Sequence, residues 1–276
     1  MFRRLLNKFL YNLFLLIDCY QLNRWSVDLI NFENTNKNYY IKLYKKIKNN
    51  KYPVIDEYEN NTGYKINKNW LDNLAFKTQI TKKNSPLCYQ HGRVLYSSLC
   101  SYINKNKIDE IFIIETGTAR AFSSLCMAKA LEDLGKSGKI ITIDKLPHNK
   151  SIYWNCYETV TENKTRKQII SKWKKLADKY IIFIQSDSKS ILKKIFVPRV
   201  NFAFLDACHS SEEIEIEAQY VATYQKKGDM LVFDDYSMLL FPDLKKSIDL
   251  FCINYKYSMQ EIKINEYRSY LLAIKK

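Results

Sequence analysis

The sequence predicts an α/β protein with a doubly wound parallel sheet, preceded by a helical extension and closed by an antiparallel β-hairpin. Three observations predict this class. From about residue 110 to residue 254, short apolar runs of strand length alternate with helical patterns. The strand runs lack a polar face, which is typical of parallel strands covered by helices on both sides. Two further strand patterns near the end are separated by a short polar turn, which indicates the hairpin.

Length and composition are those of an ordinary globular chain. The 276 residues are 46% hydrophobic and 26% charged, which excludes disordered and fibrous classes. No run of about 18 apolar residues occurs, so a membrane-spanning helix is not expected. The seven cysteines are odd in number and form no C-x-x-C pair. Scattered thiols of this kind indicate a reduced compartment, and we expect a cytoplasmic protein.

The formal net charge of +15 does not indicate a nucleic-acid partner. Only 8 of the 44 basic residues are arginine, and the rest are lysine. Surfaces that bind nucleic acid favour arginine for its forked, bidentate donors. No basic-aromatic cassette of a known binding module occurs either. We therefore attribute the excess of lysine to composition and expect no nucleic-acid partner.

We divide the chain into a basic, helical extension at residues 1–69 and a sheet-containing domain at residues 70–276. In residues 1–20, apolar positions recur at helical spacing behind a basic start, and no small-residue cleavage site follows. This stripe predicts a helix that either docks on the protein's own core or lies in a membrane interface. A short basic helix is expected near residues 40–48, and the rest of the extension is expected to be irregular.

The pattern becomes regular from residue 70. The elements are placed by apolar periodicity, by glycine and proline punctuation, and by a Ser210–Glu213 capping box. Helices are predicted at residues 70–77, 86–104, 121–134, 163–179, 188–195, 210–224 and 242–253. Strands are predicted at residues 111–115, 139–144, 180–185, 200–206 and 228–235, followed by a hairpin of residues 259–264 and 269–274.

Ligands of such sheets bind at the carboxyl ends of the strands, so the residues that follow each strand are the first candidates. After the first strand, E-T-G-T-A-R (115–120) contains Gly117, which permits a tight turn close to a ligand. The spacing is neither G-x-G-x-x-G nor a P-loop. Asp144 ends the second strand, where a carboxylate commonly binds ribose hydroxyls. Asp187 and Ser188 follow the third strand and can contact an adenine edge, cap a helix, or do both.

Carboxylates gather after the fourth and fifth strands. Asp206 ends the fourth strand, and Asp234 and Asp235 end the fifth. Adjacent strand tips would bring these three together, and a divalent cation would relieve their repulsion. An all-oxygen set suits Mg²⁺, or else Mn²⁺ or Ca²⁺. His209, in the same loop as Asp206, is a candidate general base, with a structural histidine as the alternative. Zinc at Cys208 and His209 lacks the usual ligand spacing.

The order of these motifs, E-T-G-T-A-R, T-I-D, S-D-S, F-L-D-A-C-H-S and V-F-D-D-Y, resembles the class I S-adenosylmethionine-dependent methyltransferases. Within that class it is most similar to the Mg²⁺-dependent O-methyltransferases of the macrocin O-methyltransferase and cephalosporin-hydroxylase type, over residues 70–276. The resemblance implies a Rossmann-like sheet whose last strand is antiparallel. Ala121 stands where a glycine is frequent, and Ala207 and Cys208 replace a commoner Gly-Asp. Neither departure removes a proposed ligand.

The resemblance also implies residue roles. Binding of S-adenosylmethionine falls to Glu115, Gly117 and Thr118 on the methionine and ribose side, to Asp144 at the ribose, and to Asp187 and Ser188 at the adenine. The metal ligands are Asp206, Asp234 and Asp235, and the base is His209. The reaction would be methyl transfer to a hydroxyl of a sugar or glycosylated small molecule with vicinal hydroxyls.

Two other functions remain open at this stage. One is a nucleotide-sugar or NAD-dependent oxidoreductase, against which the missing G-x-G-x-x-G and the missing Tyr-x-x-x-Lys dyad within the sheet domain argue. The other is a non-catalytic, membrane-associated binding domain, motivated by the basic amphipathic start. We expect a cytoplasmic enzyme with peripheral membrane contact through residues 1–20 as an additional possibility. The residues leave a homo-oligomer open.

Overall fold

The computed structural model describes residues 36–83, 86–207 and 210–276. These residues contain one seven-stranded sheet. Its strands are β1 Glu110–Thr116, β2 Ser137–Asp144, β3 Ile181–Gln185, β4 Phe202–Leu205, β5 Met230–Phe233, β6 Tyr257–Asn265 and β7 Arg268–Lys275. The order across the sheet is β3-β2-β1-β4-β5-β7-β6. The first five strands are parallel, and β7 runs antiparallel to both of its neighbours. The predicted sheet and its terminal hairpin are confirmed.

Helices precede the sheet and then connect its strands. They are α1 Lys37–Lys48, α2 Pro53–Thr62, α3 Lys68–Thr78, α4 His91–Asn106, α5 Phe122–Asp133, α6 Arg166–Ile169, α7 Lys174–Tyr180, α8 Ser188–Leu192, α9 Ser211–Tyr224 and α10 Pro242–Asn254. Short 3₁₀ turns occupy Tyr157–Thr159 and Ser171–Trp173.

Side chains of the central strands alternate between two hydrophobic clusters, one on each face of the sheet. In β4, Phe202 and Phe204 join one cluster, whereas Ala203 and Leu205 join the other. The first cluster is covered by α3, α4, α5 and α7, and the second by α9 and α10. Because successive strand residues point to opposite faces, burial on both sides requires the continuous apolar runs that the sequence shows.

The helices before the sheet belong to the same core. Tyr40 of α1 and Ile55 of α2 are 0% exposed and pack in the cluster that includes α4 and α5. The helix α2 was not predicted, although its proline in the first turn and Gly63 just beyond its end are both helix-boundary signals. The division at residue 69 therefore stays a prediction about sequence organisation, since packing in the described residues continues across it.

Two predicted helices differ from those observed. The helix expected from residue 86 begins at His91, and the preceding Tyr89 is held in the core because its hydroxyl donates to Asp72 (2.9 Å). The helix expected at residues 163–179 is broken into α6, a 3₁₀ turn and α7. Lys164 pairs with Ile152 in an antiparallel bridge, so helical backbone cannot begin before Thr165, which caps α6.

The amphipathic stripe of residues 1–20 lies outside the described residues, as does its predicted membrane contact. Within residues 36–83, 86–207 and 210–276, no helix has both the length and the apolar character needed to cross a membrane.

The packing of α2 can be tested with two neighbouring residues. We expect Ile55→Ala to lower the free energy of unfolding by about 3 kcal/mol, because a fully buried side chain leaves a cavity. Val54→Ala, on the same helix but 43% exposed, should change it by less than about 0.5 kcal/mol. Urea unfolding at 25 °C measures both. Equal effects of the two substitutions would show that α2 is not part of the core.

Candidate functional site

The carboxyl ends of β1 and β4 lie in close backbone contact. β1 lies between β2 and β4, so the chain leaves β1 where the strand order reverses, which is where ligands of such sheets bind. Gly117 has φ +91°, and a Cβ there would lie 2.1 Å from the backbone oxygen of Asp206. Only glycine fits this position, because both the space and the left-handed backbone exclude a side chain. The predicted tight turn at Gly117 is therefore confirmed.

The loop after Gly117 is held in a strained backbone conformation by Asp144. Ala119 and Ala121 both have positive φ, at 42° and 66°. The Asp144 carboxylate accepts hydrogen bonds from the backbone amides of Ala119 (2.5 Å) and Leu146 (2.8 Å). Asp144 thus lies against the loop, at the tip of β2, as predicted for a residue that faces a cofactor. Its hydrogen-bond donors in this loop are backbone amides.

Two buried arginines, which were not singled out from the sequence, donate hydrogen bonds to backbone carbonyls of this loop and of the segments next to it. Arg166 donates to the carbonyl oxygens of Ala119 (2.6 Å) and Leu146 (3.1 Å), and its guanidinium is 3.5 Å from Asp144. Arg120 donates to the carbonyl oxygens of Trp154 (2.8 Å) and Thr78. Burial raises the pKa of Asp144, and Arg166 opposes that rise. Burial also lowers the pKa of Arg166 to about 10.

Glu115 and Thr118 form the buried base of the loop. Glu115 is 0% exposed, and one of its carboxylate oxygens accepts from Thr142 (2.5 Å) and from Ser124. The other oxygen has no hydrogen-bond partner among the described residues. Burial raises the pKa of Glu115. Thr118 is 1% exposed and hydrogen-bonds Thr142. One carboxylate oxygen of Glu115 is therefore available as a buried hydrogen-bond acceptor at the base of the loop.

Asp187 and Ser188 begin α8 at the tip of β3. Asp187 caps the helix by accepting from the Ser190 amide (3.0 Å), and it pairs with Lys145 at 3.0 Å. Partial burial alone would raise the pKa of Asp187, but these partners hold it below its usual value. The capping role proposed from the sequence is thus present, and contact with adenine stays a prediction.

Glu217 of α9 is a second buried carboxylate that sequence reasoning missed. It is 1% exposed, accepts from the hydroxyl of Thr116 (2.7 Å) and also hydrogen-bonds the Ser188 side chain. Burial raises its pKa. Glu217 therefore links the tip of β1 to the start of α8 on the face opposite Glu115.

The structure brings together the three carboxylates predicted as metal ligands. Oxygen atoms of Asp206, Asp234 and Asp235 lie within 4.8 Å of one another. The pairing of β4 with β5 places their tips side by side. Asp235 adopts φ +51°, and its amide donates to the Asp234 carboxylate (2.8 Å). This tight turn brings the two side chains into the same group of carboxylates.

Arg268, at the start of β7, faces this group. Its guanidinium is 3.2 Å from a carboxylate oxygen of Asp234 and 3.7 Å from one of Asp235. Asp234, followed by other neighbouring groups, raises the pKa of Arg268. Desolvation, then Asp234 and Asp235, raise the pKa of Asp206 well above its usual value. Arg268 opposes this rise in the pKa of Asp206 only in part.

The donor set fits a hard divalent cation. Three carboxylates offer only oxygen ligands, as Mg²⁺, Mn²⁺ and Ca²⁺ prefer. His209 and Cys208 lie outside the described residues. His91 is buried against Phe122, and burial lowers its pKa to about 4, so it is neutral.

Comparison of the chain with known families and structures agrees with this architecture. Residues 114–236 match the family model of a methyltransferase domain, as the resemblance implied for the sheet region. No curated protein sequence matches the chain. The finer grouping with macrocin O-methyltransferases and cephalosporin hydroxylases stays a prediction.

Solved structures resemble this chain at low sequence identity. Cofactor-bound Rv0187 from MTB is 14% identical, with 70% of this chain and 83% of that chain covered and a TM-score of 0.50. The O-methyltransferase TomG from Streptomyces achromogenes, in complex with SAM, is 15% identical over 69% and 81% of the two chains, with a TM-score of 0.49. An O-methyltransferase from Bacillus cereus in complex with SAH is 13% identical over 83% and 93%, with a TM-score of 0.47. At these identities the likeness describes the fold alone.

The contact at Gly117 can be tested against a glycine with free space. We expect Gly117→Ala to weaken binding of S-adenosylhomocysteine at least tenfold, because its Cβ would force the β1 and β4 tips apart. Gly135 also has positive φ, but a Cβ there would meet no atom within 4 Å. Gly135→Ala should therefore cost about 1 kcal/mol of stability and leave binding unchanged. Calorimetric titration and thermal unfolding measure the two effects. Unchanged binding by Gly117→Ala would contradict the role of this contact.

The burial of Asp206 beside Asp234 and Asp235 predicts a pH-dependent gain of stability on its removal when no divalent cation is bound. In buffer that contains EDTA, we expect Asp206→Asn to raise the free energy of unfolding at pH 7, measured in urea, by about 1 kcal/mol. The native state holds the Asp206 proton more tightly than the unfolded chain does, so this group destabilises the fold as pH rises above about 4. The advantage of the variant should therefore vanish as pH falls to 4.

Asp229→Asn is the matched control for this substitution. Asp229 is 0% exposed but is paired with Arg199 (2.6 Å) and accepts from Tyr102 (2.6 Å). Its replacement should lower stability at pH 7 by about 3 kcal/mol, because it breaks a compensated buried pair. A loss of stability in both variants would mean that Asp206 is not under electrostatic strain.

Proposed function

We propose that this chain is an S-adenosylmethionine-dependent O-methyltransferase that holds a divalent cation at Asp206, Asp234 and Asp235 and methylates a hydroxyl of a sugar or glycosylated small molecule. The observation that carries the proposal is the carboxylate group at the β4 and β5 tips, next to the loop of the matched methyltransferase domain. A methyl donor and an acidic acceptor site would then share one edge of the sheet.

The donor side is formed by the loop around Gly117. Its spare buried acceptor, the second oxygen of Glu115, suits a donor group of the methionine or ribose portion. Asp144, which accepts two amide hydrogen bonds from this loop and its neighbour Leu146, is the proposed partner of the ribose hydroxyls. Asp187 and Ser188 would meet the adenine at the start of α8.

The acceptor side is formed by Asp206, Asp234 and Asp235. A cation bound there would supply Lewis acidity that lowers the pKa of a bound hydroxyl. His209, three residues after Asp206, is the proposed base for the hydroxyl proton, a contribution of about 10²–10⁴ in rate. The sulfonium methyl is already electrophilic, so the remaining task of the chain is alignment of the two reactants.

A vicinal pair of hydroxyls fits this arrangement, because two neighbouring oxygens can share one cation. Sugars carry such pairs, and the resemblance to macrocin-type enzymes supports a sugar over a catechol. The missing dinucleotide fingerprint and the match to a methyltransferase domain both weigh against the oxidoreductase considered above.

The proposal is tested by thermal unfolding with S-adenosylhomocysteine, with NAD⁺ and with neither, each with and without Mg²⁺. We expect S-adenosylhomocysteine at about 100 times its dissociation constant to stabilise the protein by about 2.7 kcal/mol, which is roughly 5–10 °C. Mg²⁺ should add a further shift in the wild type. Asp234→Ala should lose the Mg²⁺ shift and keep that of S-adenosylhomocysteine.

The controls separate the parts of the proposal. A shift with NAD⁺ alone would replace the methyltransferase by the oxidoreductase, and an undiminished Mg²⁺ shift in Asp234→Ala would remove the metal assignment. Transfer of labelled methyl to a panel of glycosides then tests His209→Ala, which should slow the reaction and leave binding of S-adenosylhomocysteine intact. An unchanged rate would exclude His209 as the base.

A further inference from the structure

A buried carboxylate interrupts the apolar face of α9. The buried positions of this helix are Ile214, Glu217, Ala218, Val221 and Ala222, which recur at helical spacing. The other four belong to the second hydrophobic cluster, whereas Glu217 is charged and only 1% exposed. An apolar side chain would fill the same position without removing a carboxylate from water. The sequence therefore departs here from the pattern that stability alone favours.

The surroundings of Glu217 disfavour its charge. Desolvation raises the pKa of Glu217, and the neighbouring carboxylates of Glu213 and Asp187 raise it further. The oxygen Oε1 of Glu217 is buried and has no hydrogen-bond partner among the described residues. A group that destabilises the fold beside a strand tip of a doubly wound sheet is typical of a functional position.

The remaining contacts of Glu217 join two segments of the chain. Its oxygen Oε2 accepts from the hydroxyl of Thr116 (2.7 Å), a residue that is 0% exposed. The carboxylate also hydrogen-bonds the side chain of Ser188, which opposes the rise in its pKa. Thr116 is the residue before Gly117, and Ser188 is the first residue of α8. Glu217 thus contacts the end of β1 and the start of α8 at once.

The sheet alone does not hold these two segments next to each other. The strand order is β3-β2-β1, so β2 separates the tip of β1 from the tip of β3, which leads into α8. Strands two places apart are separated by roughly 10 Å. Glu217 bridges this distance from the helix α9 on the face below. The two segments that it joins are those assigned above to the two ends of the cofactor.

We propose that Glu217 is a positioning residue of the S-adenosylmethionine site. Its carboxylate fixes the end of β1 relative to the start of α8, so that the loop at Gly117 and the segment Asp187–Ser188 are arranged for one cofactor molecule before it binds. This inference rests on the proposed function, which assigns the two segments to the cofactor. Glu115 has a different task, because its partners lie on β2 and α5.

The first test compares two substitutions of Glu217 by calorimetric titration of the full chain with S-adenosylhomocysteine. Glu217→Met fills a similar volume but accepts no hydrogen bond from the two hydroxyls, so binding should weaken about tenfold or more. Glu217→Gln keeps one oxygen acceptor, and its affinity should stay within about threefold of the wild type. Glu215→Met, on the exposed side of the same helix, is the matched control and should leave binding unchanged. Equal affinity of Glu217→Met and the wild type would overturn the proposal.

Thermal unfolding separates positioning from a purely structural role. A structural role predicts that the unfolding temperature of Glu217→Met falls together with its affinity. The positioning role predicts an unfolding temperature no more than about 3 °C below that of the wild type, because the apolar side chain replaces a carboxylate that its surroundings disfavour. Parallel loss of stability and affinity would therefore contradict the positioning role.

A second variant tests the contact from the other side. Thr116→Val removes the hydroxyl that Glu217 accepts and keeps the shape of the side chain, so it should also weaken binding of S-adenosylhomocysteine. The double variant Thr116→Val/Glu217→Met should bind no more weakly than Glu217→Met, because both changes break the same link. Additive losses would mean that the two residues act independently, which would overturn the proposal. Thr116→Val also carries the test if Glu217→Met does not fold.

Amide hydrogen exchange without ligand reads out the arrangement itself. In Glu217→Met, the amides of residues 117–121 and 187–190 should exchange faster together than in the wild type, whereas Glu215→Met should change neither segment. Unchanged exchange in both segments of Glu217→Met would overturn the proposal.

The wild type separates the two levels of inference. If the wild type binds S-adenosylhomocysteine and Glu217→Met binds it equally well, the positioning role fails and the proposed function stands. If the wild type does not bind S-adenosylhomocysteine, the proposed function itself fails.

Discussion

The backbone contact between the ends of β1 and β4 is the constraint on which the rest of the site depends. The Asp206 amide donates to the Thr116 oxygen (3.0 Å), and the next residue, Gly117, leaves no room for a side chain against Asp206. The loop that starts at Gly117 and the carboxylate group that starts at Asp206 are therefore two sides of one junction. Neither can move without the other, so a donor bound at the loop and an acceptor bound at the carboxylates would have a fixed separation.

The arginines of this lysine-rich chain mark positions that need several hydrogen bonds from one cation. All five arginines among the described residues have assigned structural contacts: Arg93 with Glu59, Arg120 and Arg166 with backbone carbonyls, Arg199 with Asp229, and Arg268 with Asp234. Each position needs a planar, forked cation that holds several acceptors at once, which lysine cannot replace. In a chain where lysine is the common base, a single arginine in the fold region is thus a signal for a structural or functional contact.

The sequence was sufficient to predict the sheet and most of the residues at its strand ends. Burial on both faces imposes apolar runs, and parallel strands all end at the same edge of the sheet. It was sufficient for Asp206, Asp234 and Asp235, which follow strands that became neighbours. The sequence could not reveal the ion-pair and hydrogen-bond partners of the strand-end residues that lie far from them along the chain. Arg166, in the short helix that follows the bridge between Ile152 and Lys164, pairs with Asp144, and Glu217 meets Thr116 across a strand-to-helix interface. Such contacts depend on tertiary packing, which periodicity does not encode.

The antiparallel hairpin has a consequence beyond closing the edge of the sheet. An antiparallel strand begins where its parallel neighbour ends, so β7 starts beside the tip of β5, at the functional edge. Arg268 is its first residue and is delivered directly to Asp234. A parallel last strand would place its first residue at the opposite edge, and the carboxylates would lack this cation. The strand direction therefore supplies a cation that offsets part of the negative charge of the three carboxylates.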